Sequence, residues 1–341
     1  MAVTREKFFT LADGRSVELI KLKDDSGFEV HLTNFGGCIT SIMVPDINGI
    51  LTDVVLGWKT PEDYLSNNCY FGALIGRIPN RIANGRFVLD GRVYQMCLND
   101  NNRCTLHGGF GYSHRLWEIG KVSGSEVVLT LASPDGDGGF PGSLQVQVVY
   151  RLSGKQTLEM EITAECDRPT VADFTNHAYF NLDGESSGDT SGHHVIIRAD
   201  RVTCTDEFLQ ATGEILPVDG TVYDLRQGKS FREIFREHDG GFDDNFILGD
   251  RDNEMHEQSA EVTAERSGIR LAVDTTRPGI QFYMGGFLNE SGKSFYRKNS
   301  GFCLETQCWP NAVNHPHFPS VRLEPGKGHH SLTRYRFSLI K

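Results

Sequence analysis

Leu144-Gln145-Val146-Gln147-Val148-Val149-Tyr150 and, a short turn later, Leu158-Glu159-Met160-Glu161-Ile162-Thr163-Ala164 decide how this chain folds. In the first, Leu144, Val146, Val148 and Tyr150 alternate with Gln145 and Gln147; in the second, Leu158, Met160, Ile162 and Ala164 alternate with Glu159, Glu161 and Thr163. A period of two sends one set to a buried face and the other to water, so these are half-buried strands. Phe28-Glu29-Val30-His31-Leu32 repeats the pattern. Between such runs stand Asp13-Gly14, Asn84-Gly85 and Asp90-Gly91, dipeptides that take positive φ cheaply and favour tight hairpins. Phe87-Val88-Leu89-Asp90-Gly91-Arg92-Val93-Tyr94 reads as a hairpin outright. Helical periodicity is scarce; short helices are expected only around Pro61–Leu65 and Ser230–Phe235. With 37 glycines, many short strands and no alternating long helices, the expected fold is all-β, a large antiparallel sandwich rather than a βαβ fold. No composition break, linker or repeat divides the chain, so residues 1–341 read as one domain.

The net charge of −11 argues against nucleic acid and anionic membranes, which select basic surfaces. It suits a soluble protein acting on a neutral small molecule. No apolar run approaches the length of a membrane span, and Met1–Lys7 lacks the hydrophobic core of a signal peptide. The eight cysteines are scattered and form no C-x-x-C pair, as expected of reduced thiols in the cytoplasm.

Several segments carry chemistry. Glu305 directly follows the apolar run Gly301-Phe302-Cys303-Leu304 and opens into the Pro- and Asn-rich stretch Trp309–Ser320. A carboxylate at the end of a strand, facing a polar loop, is placed to act as a base in a cleft. Gly76–Gly85 contains Asn80-Arg81: an amide with donor and acceptor beside a rigid donor fork, a pair that suits vicinal hydroxyls. His107-Gly108-Gly109 lets the backbone approach a ligand closely. Thr175–Leu182 holds His177, a natural acid near neutral pH, with Tyr179 and Phe180 to position it. Gly240–Phe246 offers Asp243 and Asp244, and Pro278–Leu288 offers Gln281 among Phe282, Tyr283 and Phe287, aromatics of the kind sugars stack on.

Together these segments, from Asn34–Ser41 and Asp53–Trp58 through Leu304–Ser320, resemble the aldose 1-epimerases, the galactose mutarotases, in order and along the chain from about residue 10 onward. The resemblance implies the supersandwich fold of that family and the interconversion of α and β anomers of a free aldohexose, galactose or glucose, with no cofactor. It implies Glu305 as the catalytic base and His177 as the general acid, with His107 assisting at the ring oxygen. Asn80, Arg81, His107, Tyr179, Asp243 and Gln281 would hold the sugar. Three positions, Asp244, Met284 and Gly286, depart from the pattern.

Other chemistries find less support. The histidine pairs His193-His194, His315/His317 and His329-His330 lack metal-ligand spacing, so no metal is expected. No phosphate loop or G-x-S-x-G elbow occurs. A hexose-6-phosphate 1-epimerase would need extra cations for the phosphate. A non-catalytic sugar-binding module would not need both Glu305 and His177, and a glycoside hydrolase pairing Glu305 with Asp243 would have no use for the histidine. Oligomeric state is not legible.

Overall fold

The computed structural model describes residues 1–109 and 111–340. Three large antiparallel sheets dominate it. The two alternating runs are neighbours in a nine-stranded sheet, Leu144–Leu152 pairing with Thr157–Cys166 so that Val148 faces Ile162 and Gln147 faces Thr163. The sheet continues from Thr157–Cys166 through His329–Leu339, Ile269–Thr275 and His256–Ala264 to His193–Ile197 and Lys229–Ser230. A six-stranded sheet runs Tyr179–Phe180, Phe302–Gln307, Gly279–Tyr283, Asp243–Ile247, Arg201–Thr205, Ala211–Pro217. A five-stranded meander, Ala2–Thr10 to Leu51–Asp53, completes the set.

One continuous apolar cluster joins all three. It takes Leu22, Val30 and Ile42 from the meander, Val148, Ile162, Leu271 and Phe337 from the nine-stranded sheet, and Phe246, Ile280, Phe282, Phe302 and Leu304 from the six-stranded sheet. Phe282 therefore belongs to the core and not to a sugar platform.

Turn chemistry follows the sequence with one difference. Asp90 and Gly91 both have positive φ and close the two-residue hairpin between Arg86–Leu89 and Arg92–Gln95. Asn84 and Gly85 adopt the same turn, with Gly85 N–H donating to the Ile82 carbonyl at 3.0 Å. Their flanking strands do not pair with each other, because Arg81–Ala83 pairs instead with Cys104–Leu106. The expected helices are a 3₁₀ turn at Pro61–Ser66 and an α-helix at Phe231–Glu237, capped reciprocally by Ser230 and Glu233. Among the described residues, no helix is long and apolar enough to cross a membrane.

Gly72 ties this scaffold to the site. Its N–H donates to the carbonyl of His177 at 3.0 Å, and its carbonyl accepts from Asn176 Nδ2 at 2.7 Å. At φ +67° a Cβ here would lie 1.9 Å from the Ile39 carbonyl oxygen. Gly72→Ala is therefore expected to cost about 1–3 kcal/mol through overpacking against rigid backbone. It should lower the urea midpoint without changing the slope of the transition; an unchanged midpoint would show that the backbone can yield.

Candidate active site

The site is built on the open face of the six-stranded sheet, and register assembles it. Phe302, Leu304 and Thr306 point to the core, so Cys303, Glu305 and Gln307 point the other way. Across the sheet, Tyr179 pairs with Cys303, Cys303 with Tyr283, and Tyr283 with Asp243, forming one row. The next row is Glu305, Gln281 and Asn245. Neighbouring side chains in such rows stand about 5 Å apart, so three strands far apart in sequence present a base, an amide and a carboxylate to one small space.

Three further segments close over these rows. His177 lies one residue beyond Thr175–Asn176, which pairs with Leu74–Ile75, and its Nε2 stands 3.7 Å from Glu305 Oε1. Asn80-Arg81 and His107 meet back to back: His107 N–H donates to the Asn80 carbonyl at 3.0 Å, and Asn80 N–H donates to His107 Nδ1 at 3.2 Å. Gly108 makes that meeting possible. At φ +69°, a Cβ on it would lie 2.3 Å from the Gly76 carbonyl oxygen, so the glycine serves close packing of two loops and not approach to a ligand. The resulting cleft, of about 190 Å³, is lined by every residue expected to catalyse or hold the sugar except Gln281: Glu305, His177, His107, Asn80, Arg81, Tyr179 and Asp243. Gln281 is buried behind Asp243, donating from Nε2 to Asp243 Oδ1 at 2.8 Å.

Sequence reasoning missed Tyr70, Asp100 and Cys303. Tyr70 lines the cleft with its ring 4.8 Å from His107 and 5.8 Å from His177, in a run without motif. Asp100 accepts from Arg81 Nε at 2.7 Å; its only sequence signal is a carboxylate amid asparagines, Asn99–Asn102. Cys303 Sγ lies 3.5 Å from His177 Nδ1. Of the expected platform, Tyr283 and Phe287 remain, stacked at 6.2 Å, with Phe287 75 % exposed at the rim. Of the departures from the family pattern, Asp244 is turned by the pleat to the face opposite Asp243, and Met284 is in the core. Asp244 and Gly286 line a neighbouring cavity of about 320 Å³.

The electrostatics follow from burial. Desolvation pushes the Glu305 carboxyl well above the usual carboxylate range, and Asp243 adds to this while Arg81 opposes it. Burial drives the His177 imidazole down to about 4. His107 is also driven well down, by burial first and then by His177 and Arg81. Asp243 is raised by burial against the pull of Arg81 and Gln281. Burial works against the Arg81 guanidinium, but Asp243 and Asp100 outweigh it and hold the cation. Glu305 Oε2, Gln281 Oε1 and Asn245 Oδ1, oxygens from the three members of one row, are each buried without a partner.

His107, His177 and Glu305 each place one nitrogen or oxygen within 4.8 Å of the others, a set that could hold a metal ion; spacing along the chain gave no hint of it. The hydrogen bonding argues otherwise. His107 Nδ1 accepts a backbone N–H, so the neutral ring carries its own hydrogen on Nε2 and has no free lone pair for a cation. The paired histidines named above lie elsewhere: His193 Nε2 accepts from Leu182 N–H, His330 meets Glu161, and His315 and His317 meet backbone carbonyls. EDTA is expected to leave turnover unchanged; a loss reversed by Zn²⁺ would show that the His107 ring had given up its bond to Asn80.

Comparison with known proteins fits this geometry. The family model for aldose 1-epimerase matches residues 18–336. The chain belongs to the aldose 1-epimerase family. It is 43 % identical to galactose mutarotase of Sus scrofa, covering 99 % of each chain, and 34 % identical to aldose 1-epimerase of Escherichia coli K12, covering 95 % and 96 %. An aldose epimerase homologue from C. elegans superposes with a TM-score of 0.88 at 30 % identity, covering 95 % of this chain and 99 % of that one.

Proposed function

We propose that this family member interconverts the α and β anomers of a free aldohexose, galactose or glucose, with Glu305 and His177 as the proton-transfer pair. The observation that carries the reading is the 3.7 Å approach of His177 Nε2 to Glu305 Oε1, with Oε2 buried and unpartnered in the same cleft. Glu305 as carboxylate takes the C1 hydroxyl proton while imidazolium His177 gives its Nε2 proton to the ring oxygen. The C1–O5 bond breaks, its electron pair stays on the oxygen, and a C1 aldehyde forms. Rotation about C1–C2 presents the other carbonyl face; reclosure reverses both transfers. Arg81, Asp243, Asn80 and Tyr179 hold the rest of the sugar, so that only the C1 end turns. Gln281 steadies Asp243 from behind. His107, with hydrogen on Nε2, is a donor to the ring oxygen.

The phosphorylated-sugar alternative is disfavoured by charge. Arg81 is the one permanent cation among the described residues lining the cleft, and it already faces Asp100 at 2.7 Å and Asp243 at 3.8 Å. All eight cysteines are unpaired, which supports a reducing, cytoplasmic setting. Polarimetry on freshly dissolved α-D-galactose and α-D-glucose tests the proposal. Catalysed decay of rotation to the equilibrium value is expected, and decay no faster than in buffer for every aldohexose tried would overturn it.

A further inference from the structure

His177 is held from behind by a thiol. Its Nδ1 lies 3.5 Å from Cys303 Sγ, and Cys303 is fully buried. Cys303 and Glu305 are two residues apart on Phe302–Gln307, so the pleat turns both to the same face. One strand thus carries the proposed base and the group behind the proposed acid. Apart from Glu305 at Nε2, the remaining ring contacts of His177 are aromatic: Tyr179 at 4.9 Å, His107 at 5.1 Å, Tyr70 at 5.8 Å and Tyr283 at 6.5 Å. They restrict the ring but cannot choose between its nitrogens.

The partner at the far nitrogen of a histidine decides which nitrogen carries the hydrogen. A carboxylate would both fix that hydrogen and draw a second proton onto the ring. A thiol bears no charge, and its sulfur is a weak acceptor. Burial holds the Cys303 thiol well above its usual range, so it stays neutral.

We propose that Cys303 is the positioning residue for His177: its sulfur accepts the Nδ1 hydrogen, fixes the ring plane and leaves Nε2 as the nitrogen that exchanges a proton. This rests on the roles given above to His177 and Glu305. Nδ1 then keeps its hydrogen throughout. When the sugar ring opens, the Nε2–H bond breaks, its electron pair remains on the imidazole, and the proton goes to the ring oxygen; reclosure returns it. Were the thiol instead to donate to Nδ1, the neutral ring would carry its hydrogen on Nε2, with no lone pair to receive the proton of Glu305. The neutral sulfur also leaves that proton free to move: a carboxylate in its place would trap it on His177.

The test is ¹⁵N NMR of histidine-labelled protein, with the His177 signals assigned by their loss in His177→Asn, alongside polarimetric pH–rate profiles. In the wild type, Nδ1 is expected to be protonated and Nε2 bare near neutral pH. Cys303→Ala should lower kcat about tenfold, the loss of one modest hydrogen bond, with KM within about twofold. It should also blur the nitrogen signals into a tautomer mixture and shift the acidic limb of the profile. Cys303→Ser, whose hydroxyl can accept the same hydrogen, should restore the tautomer and most of kcat. A wild-type signal carrying its hydrogen on Nε2, or a Cys303→Ala protein with unchanged tautomer, kcat and profile, overturns the proposal. If His177→Asn turns over normally, the acid assignment falls separately, and the nitrogen signals still decide whether Cys303 holds Nδ1.

Discussion

Glu305→Gln is expected to lower kcat by roughly 10²–10⁴-fold, the range for loss of a positioned proton-transfer group, while leaving KM nearly unchanged. The amide matches the carboxylate in shape, but it cannot take the C1 proton. On the function proposed above, Arg81, Asp243 and Asn80, which line the cleft, hold the rest of the sugar and are untouched. The loss should therefore fall on the transition state and not on ground-state binding. Stability separates this outcome from misfolding. Glu305 is 2 % exposed, its ionised form is disfavoured by burial, and Oε2 has no partner. A neutral amide is cheaper to bury than a carboxylate, so the variant should melt no lower than the wild type. A folded variant with kcat within a few-fold of the wild type would remove Glu305 as the base.

The strands were legible because alternation is a local signal: Val146, Val148 and Tyr150 announce a buried face whatever they pack against. The facing of the site residues was legible in the same way once Phe302 and Leu304 were assigned to the core, since Cys303 and Glu305 must then point outward. Registry between strands was not legible, because nothing local to Gln281 says that it will stand beside Glu305. For the same reason Asn84-Gly85 suggested a hairpin whose strands in fact pair elsewhere: the turn is local, but the partner Cys104–Leu106 is not. Gly108 was read as room for a ligand, yet it is room for Gly76, a contact between loops about thirty residues apart. Asp100 and Cys303 escaped because each acts on another side chain, Arg81 or His177, and leaves no pattern of its own.

Glu305 and His177 are best treated as one unit that holds one mobile proton. In the empty cleft, burial favours the neutral form, a protonated carboxyl beside a neutral imidazole. The reactive form, carboxylate beside imidazolium, differs only by moving that proton across 3.7 Å. The neutral form is also the state of the pair after the sugar ring has opened. Desolvation thus brings the free energies before and after proton transfer together, and the hydroxyls of a bound sugar, by donating to the unpartnered Oε2, stabilise the carboxylate when substrate arrives.

His177→Asn should abolish most turnover, by a factor again in the range of roughly 10²–10⁴, and should change the shape of the pH profile. In the wild type, kcat/KM is expected to be bell-shaped, its limbs belonging to the pair and not to either residue alone. Lowering the pH through about 4 adds a second proton, on His177, so that both groups are protonated and no base remains. Raising it through the elevated value of Glu305 removes the shared proton, so that no acid remains. The limbs are thus inverted relative to the ordinary order, in which a carboxyl titrates below an imidazole. In His177→Asn the acid is gone at every pH, and the slow residual reaction needs only the carboxylate. Its rate should therefore rise with pH through the Glu305 value and not fall again. Calorimetric titration should show that galactose still binds, because Arg81, Asp243 and Asn80 are intact. A variant that keeps both its turnover and the bell would show that the proton to the ring oxygen comes from elsewhere, and His107, whose Nε2 carries a hydrogen by virtue of its bond to Asn80, is the group to replace next.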